Sequence, residues 1–123
     1  VNWHYFKKEE FACKCCGDNH MSDGFISRLD DMRNILRFPL IVSSGYRCPV
    51  YNNAVSKTGM YGPHTTGHAV DIQIAGEKAL RLLQLASNRS FTGIGINQKG
   101  PHEKRFIHLD DLGIGQRPWI WTY

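Results

Sequence analysis

Two short stretches that alternate apolar and polar residues constrain this chain more than any other feature. Ala69-Val70-Asp71-Ile72-Gln73-Ile74 and Phe106-Ile107-His108-Leu109-Asp110 each read as a β-strand with one apolar and one polar face. In the first, Val70, Ile72 and Ile74 point one way while Asp71 and Gln73 point the other. In the second, Ile107 and Leu109 oppose Phe106, His108 and Asp110. A third stretch, residues 91–96, alternates Gly93 and Gly95 with Ile94 and Ile96. A sheet built from these strands buries its aliphatic face under helices and turns Asp71 and His108 to the opposite face. With the three as neighbours, the glycines are expected to leave an open floor between Asp71 and His108.

Elsewhere the period lengthens to that of a helix. From Ser22 onward Phe25, Ile26, Leu29, Met32, Ile35 and Leu36 fall on one face, Ser22 or Asp23 can cap the start, and Phe38-Pro39 ends the run. Leu40-Ile41-Val42-Ser43-Ser44 reads as a buried strand, followed by the loop Gly45-Tyr46-Arg47-Cys48-Pro49. A helical turn is expected at 51–55 and irregular chain at 56–66, which carries Gly59, Gly62 and Pro63. A second long helix is expected at 77–86, with Leu80, Leu83 and Leu82 inward, and a turn at 98–101 leads to the strand at 105–110. This mixture predicts an α+β fold, a small mostly antiparallel sheet packed by helices. One domain is expected over residues 1–123, with the cysteine-rich segment 1–21 packed on it.

At 123 residues the chain can bury a sizeable core without disulfides. Its 41% hydrophobic and 21% charged residues are those of an ordinary globule. No apolar run is long enough to span a bilayer, so no membrane partner is expected, and the opening Val1-Asn2-Trp3-His4-Tyr5-Phe6-Lys7-Lys8 does not read as a signal peptide. The basic excess, 15 Lys plus Arg against 11 Asp plus Glu, is mild and dispersed, which argues against nucleic acid as a partner.

His64 reaches the polar face from the loop before Asp71, which makes His64, Asp71 and His108 a candidate metal set. Imidazole nitrogen and carboxylate oxygen suit a borderline cation such as zinc, and three protein ligands leave a fourth position for water. Asp110 stands where it can orient His108 or a nearby arginine. His68 is a candidate neighbour of the site, whereas His4 and His20 have no such context and are expected to be structural or solvated.

The ordered set Ser43-Ser44-Gly45-Tyr46-Arg47-Cys48-Pro49, Tyr51-Asn52, His64-x-x-Gly67-x-Ala69-x-Asp71, Gly93-Ile94-Gly95-Ile96, Phe106-Ile107-His108-Leu109-Asp110 and Arg117-Pro118-Trp119-Ile120-Trp121 resembles the zinc D-Ala-D-Ala carboxypeptidase family of peptidoglycan peptidases. That family includes VanX-type dipeptidases and phage endolysins, and its metal site is similar to that of the hedgehog domain. The resemblance implies zinc held by His64, Asp71 and His108, with Arg47 facing the substrate. It implies a monomer that hydrolyses an amide bond in the murein stem or cross-bridge peptide and acts at the cell wall. Two positions depart from the pattern. Gly62 stands where many members have a serine, and Arg105 where many have an acidic general base. Arginine cannot accept a proton, so Glu103 is the expected base, with His102 as the other candidate. The alternative function is a non-hydrolytic zinc module that binds cell wall or a protein.

Cys13-Lys14-Cys15-Cys16 contains a C-x-x-C pair, and Cys48 follows Arg47. Related phage-type sequences often carry a cysteine-rich segment here, which implies a structural role. A disulfide, free thiols and a structural metal all remain open, although adjacent Cys15 and Cys16 make a four-thiolate tetrahedron awkward. A disulfide would tether the N-terminal segment to the Arg47 loop.

Overall fold

Ser22 caps the first long helix: its Oγ accepts the backbone N–H of Phe25 at 3.2 Å. In the computed structural model, which describes residues 2–113 and 115–123, this helix, α1 (Asp23–Leu36), ends at Arg37 in the left-handed conformation (φ 66°), just ahead of Phe38-Pro39. Phe25, Ile26, Leu29, Met32 and Leu36 are buried on it. Ile35, expected on the same face, is 46% exposed, because it falls at the edge of the apolar stripe.

The chain continues through β1 (Ile41–Ser44), α2 (Pro49–Val55), β2 (Ala69–Gln73), α3 (Gly76–Ser87), β3 (Gly93–Asn97), β4 (Phe106–Asp110) and β5 (Trp119–Thr122). The stretch expected to be irregular holds two short 3-10 turns, Gly59–Tyr61 and Pro63–Thr66. The second turn ends at Gly67 (φ 77°), where a side chain would also strike the His20 carbonyl. The helix at α3 is present, but its inward face differs from expectation. Ala79, Leu82 and Ala86 are buried while Leu80 is 54% exposed. The small alanines at i and i+7 let this helix approach its neighbours, so its buried stripe is not the one marked by the largest side chains.

The five strands form one sheet in the order β1-β2-β4-β3-β5. Its β1–β2, β2–β4 and β3–β4 pairings are antiparallel, and β5 runs parallel to β3. The α+β expectation therefore holds, with one parallel edge that alternation had not revealed. On the helix-packed face Val70, Ile72, Ile107 and Leu109 are buried with Leu29 and Leu82, as the strand periodicity required.

The open glycine floor requires correction. β4 lies between β2 and β3, so Asp71 and His108 are direct cross-strand partners and Gly95 lies on the far side of His108. Nor is the glycine face empty. A Cβ on Gly95 would sit 2.5 Å from the indole Nε1 of Trp121, and one on Gly93 would strike the side chains of Asp110 and Arg117. The glycines make room for β5 and its approach rather than for a ligand.

The assignment of faces on α3 has a direct test in urea unfolding. Leu82→Ala is expected to cost about 2–5 kcal/mol through the cavity it leaves, and Leu80→Ala no more than about 0.5 kcal/mol.

Candidate metal centre

Asp71 stands on β2 opposite His108 on β4, and His64 comes from the Pro63–Thr66 turn packed against β2. Asp71 Oδ1 lies 3.0 Å from His108 Nδ1 and 3.3 Å from His64 Nε2. One donor atom from each of the three residues falls within 4.8 Å of the other two, and all three residues are buried.

The remaining ring nitrogens are held by the protein. His64 Nδ1–H donates to the Gly45 carbonyl at 2.8 Å. A carbonyl only accepts, so this bond places a proton on Nδ1 and leaves Nε2 directed at Asp71. His108 Nε2–H donates to Asp110 Oδ2 at 2.7 Å, and Arg117 grips both Asp110 oxygens, with Nε and Nη2 at 2.8 and 2.7 Å. This carboxylate–histidine arrangement is the one that orients imidazole ligands toward a metal. The residues therefore fit a divalent cation: His64 Nε2, His108 Nδ1 and an Asp71 oxygen would hold it.

Electrostatics point the same way. Burial opposes a charge on Asp71, but the His64 charge and hydrogen bonds with His108 and His64 hold its carboxyl far below the usual carboxylate range. Burial also disfavours a charged His108, yet its hydrogen bonds to Asp110 and Asp71 outweigh this and raise its pKa. Asp110 is likewise opposed by burial, but hydrogen bonds from His108 and Arg117 pull it down to about 2. A divalent cation would take over the role of the proton on His108 Nδ1 and compensate Asp71.

His64, Asp71 and His108 line a cleft of about 810 Å³. Arg47, Lys57 and Arg117 bring positive charge to its wall, Phe106, Trp119, Trp121 and Tyr123 bring aromatic surface, and Asp71 is the sole carboxylate residue lining it among the described residues. Arg47 is held by Ser44 Oγ (3.0 Å), Asn52 Oδ1 (3.1 Å) and Asp71 Oδ2 (3.4 Å). Its backbone N–H also donates to the His64 carbonyl, which ties the Arg47 loop to the turn that delivers a candidate ligand.

Other residues singled out in the sequence lie elsewhere. His68 is not part of the cleft wall: its Nδ1 pairs with Asp111 at 3.0 Å and its ring packs edge-on to Phe25. Glu103 is exposed on the His102–Lys104 turn and is not part of the cleft wall, so the loop does not bend it inward in this structure. Arg105 turns away, with Nε donating to the Gly100 carbonyl at 3.0 Å. The Gly62 departure has a steric cause, because a Cβ there would overlap Thr58 and Asn52. Thr58 brings a hydroxyl-bearing residue to the cleft wall instead.

Sequence reasoning missed Trp121, Arg117 and Asn52 as parts of the site. The Trp121 ring lies 5.0 Å from that of His108 and also 5.0 Å from the Arg117 guanidinium carbon. Asn52 is completely buried and supports Arg47. The Trp-x-Trp ending and a polar residue in a short helix were the available signals, but neither states which face it will cover.

The family model described as Peptidase M15 matches residues 4–110. No curated protein matches the chain.

His64→Ala or His108→Ala is expected to abolish metal binding at this centre, and Asp110→Asn to weaken it by about 10–100-fold, as measured by chelator competition. The Asp110 shift also sets a pH dependence. Its pKa falls from 3.8 to about 2 on folding, so its contribution to stability is full above the unfolded value and lost as pH drops through the folded one. In metal-free protein, urea midpoints of wild type and Asp110→Asn should differ at about pH 6 and converge toward about pH 2.

Proposed function

The chain belongs to the peptidase M15 family, a family of metal-dependent peptidases, and from this we propose that it is a zinc peptidase that hydrolyses an amide bond in the stem or cross-bridge peptide of peptidoglycan. The observation that carries the reading is the convergence of His64, Asp71 and His108 within a cationic, aromatic-walled cleft. When bound there, zinc supplies Lewis-acid chemistry, polarising the scissile carbonyl and making water acidic enough to attack near neutral pH.

The chain's own residues account for the other requirements. The positive cleft suits a murein peptide, which bears carboxylates on its side chains and terminus. Arg47, pinned by Ser44 and Asn52, presents its guanidinium to a substrate carboxylate or to the oxyanion that forms at the cleaved carbonyl. Trp119 and Tyr123 offer flat apolar walls to the peptide backbone and methyl groups. Asp110 and Arg117 fix the orientation of His108. Proton transfer from water to the leaving amine is assigned to Glu103. The turn that carries it joins Asn97 to Phe106, two residues of the cleft wall, and the role requires this turn to fold over the cleft when substrate binds. The proposed protein works as a monomer at the cell wall; among the described residues no helix is long and apolar enough to cross a membrane.

The scarcity of carboxylates in the cleft favours a second reading, a zinc module on the same fold that binds murein without cutting it. Incubation with purified murein separates the two. Released peptide fragments, identified by mass spectrometry and abolished by a chelator, are expected; an inert, metal-loaded protein that sediments with murein would instead establish the binding module. For the active protein, Arg47→Ala should lower kcat by about 10²–10³-fold. Glu103→Gln should lower it by about 10²–10⁴-fold with metal content unchanged. An unaltered kcat in Glu103→Gln would remove Glu103 from the mechanism.

A further inference from the structure

A second group of potential ligands lies outside the cleft, where the N-terminal segment meets the loop after Arg47. The two are brought together by backbone: Tyr46 N–H donates to the Phe11 carbonyl at 2.8 Å, and Gly45 has no room for a side chain because the Phe11 backbone passes 2.6 Å from where its Cβ would be. Beyond Phe11 the chain turns tightly, with Gly17 N–H donating to the Cys13 carbonyl at 2.8 Å and Gly17 itself at φ 80°. This turn places the sulfurs of Cys13 and Cys16 beside Cys48, and one Sγ from each lies within 4.8 Å of the other two.

We propose that Cys13, Cys16 and Cys48 hold a second divalent cation of the zinc class as thiolates. The site clasps the N-terminal segment to the Arg47 loop and takes no part in the chemistry of the cleft. Three sulfurs at one point exceed what a disulfide uses, and thiolates around one zinc stand about 3.8 Å apart at Zn–S bonds of about 2.3 Å. The surrounding backbone is also arranged for anionic sulfur. Cys48 N–H donates to Cys13 Sγ at 3.3 Å. Three sulfurs held this close together form a ready site for a cation, each thiol giving its proton to solvent on binding.

Metal analysis of wild-type protein purified under reducing conditions should give two equivalents of zinc. His64→Ala/His108→Ala should keep one, and after exchange with cobalt(II) that variant should show sulfur-to-cobalt charge-transfer absorption. Cys13→Ser/Cys48→Ser should lose this band while retaining the other equivalent. A wild-type protein whose cobalt(II)-exchanged form shows no sulfur-to-cobalt charge-transfer absorption overturns the proposal irrespective of how the variants fold. So does a native mass two hydrogens lighter with two thiols closed to alkylation after chelation, which is a disulfide.

Discussion

Asp71 and His108 face each other across β2 and β4, and every other feature of the cleft is arranged around that register. Both strands alternate strictly, so a slip of one residue would bring Ile72 or Ile107 to the cleft and carry Asp71 or His108 into the aliphatic core. A buried carboxylate without partners costs several kcal/mol, about 3–5 where such a pair is broken. The apolar face and the polar face thus specify the same pairing for independent reasons. Hydrophobic burial sets which residues point inward, and the mutual compensation of Asp71, His64 and His108 makes the opposite face tolerable away from water.

The C-terminal strand completes what this pairing begins. β5 adds to β3 in parallel and brings Trp121 over Gly95 against the His108 ring. The chain leading into it brings Arg117 to Asp110. Gly93 and Gly95 are therefore required as space for these two side chains. The chain of contacts Arg117–Asp110–His108–Asp71 runs from the edge of the sheet to the candidate ligands, and it couples closure of that edge to the direction in which the His108 ring points. A matching arrangement exists on the other side. Asn52 on α2 and Ser44 at the end of β1 hold Arg47, and the Gly45 carbonyl holds His64.

Much of this was legible in the chain itself. Period-two alternation in 69–74 and 106–110, helical spacing from Phe25 to Leu36, and a histidine arriving just before Asp71 are local patterns. Local patterns determine faces, because side-chain direction follows from backbone geometry over a few residues. The α+β class and the placing of Asp71 and His108 on the polar faces of their strands follow from them. They carried no information about strand order. Glycines beside isoleucines look the same whether they open a floor or admit an indole, and Trp119-Ile120-Trp121 looks the same as an edge strand or as a loose tail. The position of Leu82 rather than Leu80 in the core depended on how closely α3 could approach its neighbours, which Ala79 and Ala86 decide. Glu103 stays exposed because the turn that carries it follows the path between β3 and β4, not the chemistry expected of it. The sequence by itself thus determined which residues share a face and which of them can bind a metal. Only the tertiary structure decided which strands are neighbours, what fills the space over the glycines and which charges reach the cleft, because those depend on contacts between residues far apart in the chain.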